Sequence, residues 1–106
     1  MAHQTPLDCT KTPVYRGGRD LTPKYHLGEV KIKKGMVQPT RGVSLELDSA
    51  DAAKHDVPHR VKSIPDELEI VQQGKRPEHH EIRPKVEMPV ERFEELLKQV
   101  VLEPIQ

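Results

Sequence analysis

The sequence predicts a small α+β domain: a compact mixed or antiparallel β-sheet core carrying one short helix and one C-terminal amphipathic helix. Three observations lead there. Apolar residues alternate with polar ones in short runs bounded by Gly and Pro from Pro13 to Pro84, as in half-buried strands. After Pro89 the spacing changes to that of a helix. At 106 residues the chain is sized for one domain.

Residues 1–12 are polar, contain Pro6 and read as a flexible tail, leaving a single domain over 13–106. "PVYRGG", Pro13 to Gly18, reads as a strand stopped by a glycine pair, and "LTPKYHLG" as a loop. From Glu29 to Gly35, Val30 and Ile32 alternate with Lys31 and Lys33, predicting a strand with the two apolar residues inward. "MVQPTRG" returns to turn chemistry. Val43, Leu45 and Leu47 then mark a strand, and Asp48 or Ser49 caps a short helix over Ala50 to His55. Further strands are expected around Val61–Ile64, around Leu68–Val71 and over "HHEIRP", ended by Pro84.

The C-terminal helix has the strongest local signal. Pro89 suits the first helical position. Val90, Phe93, Leu97 and Val100 form one stripe with Leu96 beside it, while Glu91, Glu94, Glu95 and Lys98 face water. Glu91 and Glu94 also lie near the positive end of the helix dipole.

Composition narrows the function. Hydrophobic residues are 34% of the chain and aromatics 3%, with no Trp, so Val, Ile and Leu must build the core around Phe93, Tyr15 and Tyr25. Lys+Arg and Asp+Glu are 17 each, so no global field draws the chain to nucleic acid or anionic lipid. Lys31, Lys33, Lys34 and Arg41 form a basic stretch short of a nucleic-acid footprint, and the scarcity of stacking aromatics counts against single-stranded RNA. Cys9 is the single cysteine, which excludes an intramolecular disulfide; it reads as an inert thiol in the N-terminal arm. No apolar run is long enough for a membrane span or a cleavable signal, so no membrane contact is expected.

Few side chains here suit chemistry. His55 and His59 have helical spacing, but Pro58 interrupts it, and no compact ligand set predicts a metal. In the strand "HHEIRP", His79, Glu81 and Arg83 share one face, and His80 and Ile82 the other. Ile82 should face the core, and Glu81 beside the imidazole would favour its protonated form. Periodicity leaves open whether the histidines serve a site or decorate a strand. Arg16, between Tyr15 and Gly17, is either an anion-binding guanidinium or an exposed strand-end residue. Gly42 allows close approach beside Ser44, which points away from the face of Val43 and Leu45; a solvent-facing Ser is the alternative. Phosphate loops, nucleophile elbows and zinc-protease motifs are absent.

The order of these pieces carries more than any one of them. "VYRGG", then "PTRGVSLELDSADAA", then "SIPDELEIVQQGKRPEHHEIRPKVEMPVERFEELL" resembles the ADP-ribosyltransferase-like toxin domains typified by a type VI secretion exported effector, which also occur as C-terminal domains of polymorphic toxins. The resemblance spans most of Pro13 to Val101. It implies an ADP-ribosyltransferase-like fold and NAD as substrate, with Arg16 on the phosphates and Tyr15 stacked on the ligand or packed in the core. Ser44, after Gly42, would support the nicotinamide ribose. His79 would take the family's histidine position and face the cleft, with His80 largely structural. Glu81 would be the carboxylate that stabilises the oxocarbenium-like ribose. The acids near the family's late glutamate are Glu78, Glu81 and Glu87, none of them in a Gln/Glu-x-Glu motif, and Val43 stands where a second hydroxyl is expected beside Ser44.

The implied function is an antibacterial effector toxin, an ADP-ribosyltransferase or NAD glycohydrolase. It would act in the cytoplasm, be delivered by a secretion system without a cleavable signal, and have an immunity (antitoxin) partner and a protein or nucleic-acid target. The alternative from composition is a non-enzymatic interaction module that docks through its acidic C-terminal helix or its basic strand face.

Overall fold

The computed structural model describes residues 5–105. Its main element is a six-stranded sheet with every adjacent pair antiparallel: β1 (Tyr15–Gly17), β4 (Val43–Glu46), β5 (Pro58–Ser63), β6 (Leu68–Gln72), β7 (His79–Pro84) and β9 (Val101–Pro104), in the order β6-β7-β4-β1-β5-β9. A second, three-stranded sheet joins β2 (Ile32–Lys33), β3 (Met36–Val37) and β8 (Met88–Pro89) in the order β2-β3-β8. Among the described residues two α-helices, α1 (Ser49–Ala53) and α2 (Val90–Lys98), and a 3-10 turn at Tyr25–Leu27 complete the fold, so the α+β class read from the sequence is the class observed.

Alternation decides which side of the large sheet is dry. Val43 pairs with Ile82 and Ile82 with Ile70, and all three are buried with Leu45 and Leu68. Against that face pack Phe93, Leu96 and Leu97 of α2, with Val37 and Met88 of the second sheet. Phe93 is fully enclosed, so the one large anchor of the helix sits at the centre of an aliphatic core.

Local chemistry explains the helix starts. The Asp48 carboxylate accepts from the Ala50 amide at 2.8 Å, capping α1. Pro89 stands one position before α2 with extended backbone, and Phe93, Leu96 and Leu97 are the buried residues of the helix. The helix stops at Lys98, so Val100 lies beyond it and only packs against the core edge.

Three segments differ from the sequence reading. The strand expected over Glu29–Gly35 is shorter, because Lys34 (φ 54°) and Gly35 (φ 76°) make a two-residue turn of the primed kind between β2 and β3. Val30 is buried, but Ile32 is 41% exposed because this ribbon overhangs the core. β9 was not expected; it follows α2 directly and covers the β5 edge. Of the stretch read as a tail, residues 1–4 lie outside the described residues. From Leu7 on, the chain lies against the core: the Leu7 amide donates to the Ile70 carbonyl at 2.7 Å and Cys9 is 5% exposed.

Candidate functional site

The large sheet is incomplete at one place. β4 pairs with β7 through four residues, Val43↔Ile82, Ser44↔Glu81, Leu45↔His80 and Glu46↔His79. With β1 it pairs only through Glu46↔Tyr15. Beyond that pair the strands part, because Arg16 and Gly17 keep their register with β5, opposite His59 and Pro58.

Side chains serve the backbone groups that the parted strands leave behind. Arg16 Nη1 donates to the Ser44 carbonyl at 2.9 Å, and the Ser44 amide donates to Glu29 Oε2 at 3.2 Å. Arg16 Nε donates to the Asp20 carbonyl at 3.1 Å, and the Lys24 amide to Glu29 Oε1 at 3.0 Å. The loop from Gly18 to Glu29 is thereby tied to β4 across the gap. Its other anchor is Tyr25, whose hydroxyl donates to Glu94 on α2 at 2.7 Å; burial, then the Glu94 carboxylate, pushes this phenol up.

A cleft of about 350 Å³ opens at this split, in the size range of small-ligand sites. It brings together Tyr15, Arg16, Gly17, Ser44 and His79, five of the residues singled out in the sequence. Alternation sends Tyr15 and Gly17 to the sheet face that carries Glu46, and Arg16 to the other, so the lining draws on both sides of the gap.

Arg16 differs electrostatically from the other cleft arginine. Arg76 Nη2 lies 3.2 Å from Glu46 and 3.0 Å from Asp51, so two carboxylates balance its charge. Arg16 is held by two neutral carbonyls and has no ion pair among the described residues. Its geometry is fixed, its charge is unmatched and donors remain unused, the requirements for an anion site. The Ser44 hydroxyl likewise has no hydrogen bond among the described residues.

His79 is held through Nδ1, which lies 2.9 Å from the Gln73 carbonyl. A carbonyl only accepts, so Nδ1 carries the proton and Nε2 is the acceptor of the neutral ring. Glu46, opposite both His79 and Tyr15 in register, places a largely buried carboxylate between them.

Glu81 and Gly42 stand apart from the lining. Glu81 is 3% exposed and its Oε1 accepts from the Gly42 amide at 2.9 Å, so it braces the strand pair. Gly42 serves another approach than a ligand's: a Cβ there would collide with the Ile82 carbonyl. At Gly17 a Cβ would strike the Ala52 carbonyl and His55, so that glycine lets α1 lie on β1. His80 is buried, and burial lowers the pKa of its imidazole.

Lys24, Glu29, Glu46 and Arg76 line the cleft without a signal that sequence reasoning used, and His55, weighed in the sequence only as a metal ligand, joins them. Each is charged or titratable in an ordinary polar context, and only the tertiary fold gathers them. Cys9 is remote from the cleft, and burial raises its pKa, leaving the thiol inert. Among the described residues no group of three or more His, Cys, Asp or Glu is placed to hold a metal ion. No helix among them is long and apolar enough to cross a membrane. Comparison with protein-family models, with curated proteins and with solved structures returned no match.

Proposed function

We propose that the cleft binds NAD and breaks its nicotinamide–ribose bond, as an NAD glycohydrolase or an ADP-ribosyltransferase of the toxin kind. One observation carries the reading: a fixed arginine without a balancing carboxylate stands beside a free hydroxyl, an aromatic ring and an oriented imidazole where the sheet parts. Arg16 takes the pyrophosphate, Tyr15 packs on the base or ribose, and Ser44 and His79 hydrogen-bond the nicotinamide ribose.

In this proposal the glycosidic carbon–nitrogen bond breaks and its electron pair neutralises the nicotinamide nitrogen. The ribose left behind is oxocarbenium-like and takes up water or a nucleophile of a target. Glu46, a carboxylate of the lining that Arg76 holds through both oxygens, faces this charge in the proposal in place of Glu81, which lies outside the lining. A protein or nucleic-acid target, an antitoxin partner and delivery into a bacterial cytoplasm belong to the same proposal.

The test is a titration of NAD into the protein followed by NMR, with free nicotinamide recorded over hours. Shifts at Arg16, Ser44 and His79 with nicotinamide released are expected, and Arg16→Ala abolishes both. Unchanged spectra at millimolar NAD would overturn the reading and leave the interaction-module alternative.

A further inference from the structure

Of the large apolar side chains exposed among the described residues, Leu27 alone borders the cleft. At 67% it is also the most exposed of them. The lining is otherwise mostly polar: Leu45 is 1% exposed, and Tyr15 brings the one aromatic ring. An exposed leucine by itself is ordinary. This one is held in place by side chains that reach it from two other parts of the fold.

The chain is buried at Leu21, Pro23 and Val30 and exposed from Lys24 to Gly28, so residues 24–28 form a raised tip between anchors. Its 3-10 turn contains no buried residue. The turn closes on itself, with the Leu27 amide donating to the Lys24 carbonyl and the Gly28 amide to the Tyr25 carbonyl, both at 3.0 Å. Gly28 ends it at φ 69°, the left-handed conformation that favours glycine. Core packing does not fix this tip; two carboxylates do. Glu29 accepts from the Lys24 amide with one oxygen and from the Ser44 amide with the other, tying the base of the tip to the cleft strand. Glu94 on α2 accepts from the Tyr25 hydroxyl at 2.7 Å. Between the loop and α2 lies a second cavity, of about 520 Å³, bordered by Leu21, Pro23 and Glu94. The tip is therefore braced across open space, and the Tyr25 bond makes a bare turn into a wall of the cleft.

We propose that Leu27 covers a flat base of the bound dinucleotide, as Tyr15 does from β1, and that Tyr25 is the positioning residue that holds it there through Glu94. The inference rests on the reading of the cleft as an NAD site and adds to it the contact that selects for a base. Arg16 would accept the phosphates of any polyphosphate. Polar contacts alone would leave a dinucleotide little better bound than inorganic pyrophosphate, whereas a leucine covered by a ring turns the base into affinity.

The test compares NAD with inorganic pyrophosphate, each titrated by NMR into wild type and variants. Leu27→Ala is expected to weaken NAD binding about 10-fold and to leave pyrophosphate, which has no ring, as it was. Tyr25→Phe weakens NAD about 5-fold, again without touching pyrophosphate. Glu94→Ala does the same, whereas Glu94→Gln, whose amide oxygen still accepts from the phenol, keeps the wild-type affinity. Equal NAD affinity in wild type and Leu27→Ala overturns the inference while the NAD reading stands. So does a parallel loss of both ligands, which would mean that the substitution deforms the cleft. A wild type that does not bind NAD overturns both readings at once.

Discussion

β4 has two neighbours, and the two seams differ in what closes them. Toward β7 it makes four residue pairs backed by fully buried side chains. Toward β1 it makes one, and the amide and carbonyl of Ser44 turn to Glu29 and Arg16. A ladder is cooperative and dry. A seam held by two charged side chains exchanges one hydrogen bond for another at little cost, so a polar ligand can compete there. The candidate site therefore lies where the sheet is least complete.

Substitutions on each side should separate the seams. The largest effect is expected at Ile82, between Val43 and Ile70: Ile82→Ala leaves a cavity in the closed seam and costs about 4 kcal/mol by chemical denaturation. Gly42→Ala follows at about 3 kcal/mol, because the methyl meets the Ile82 carbonyl and backbone must move. Glu81→Ala removes the acceptor of the Gly42 amide and costs about 2 kcal/mol while leaving NAD affinity untouched. If Glu81→Ala instead abolished nicotinamide release in a folded protein, the carboxylate would belong to the chemistry and the division between seams would fail.

On the open seam the order of effects reverses. Arg16→Ala removes bonds to two carbonyls at about 1 kcal/mol of stability, yet it removes the unmatched cation and with it NAD binding. Arg16→Lys keeps the charge but loses the planar fork, so it should recover little affinity. A large loss of stability in Arg16→Ala would show that the guanidinium closes the sheet rather than serving a ligand.

The unequal legibility of the two seams has the same origin. Val43, Leu45 and Ile82 announce themselves because burial on one face imposes a period of two, and Phe93, Leu96 and Leu97 do so through the helical period. Arg16, Ser44 and His79 were noticed through their neighbours and their order, and the fold brings them into one cleft. Glu29 and Arg76 carry no such mark, since a carboxylate bonding a distant amide resembles a solvated strand residue in sequence. Ile32 misled because alternation reports a strand without reporting whether the core extends beneath it. β9 was hidden behind Val100, whose place on the α2 stripe made the helix look longer than it is.

The smallest expected effect concerns pH, and it falls on the closed seam. His80 pairs with Leu45 and Gln72 in a largely buried position. Burial lowers its pKa, the Glu78 carbonyl and Glu46 act in the opposite sense, and His79 adds to the lowering. The folded protein thus takes up a proton on His80 less readily than the unfolded chain, whose histidines titrate near about 6.5. Stability from this residue is full above that value and is lost as pH falls through it toward the lower folded pKa. The melting midpoint of wild type should drop relative to His80→Gln between about pH 7 and pH 5, before most carboxylates titrate. A difference that stays flat over that interval would mean that water reaches His80, and the β4–β7 seam would be as open at that end as its partner is beside Arg16.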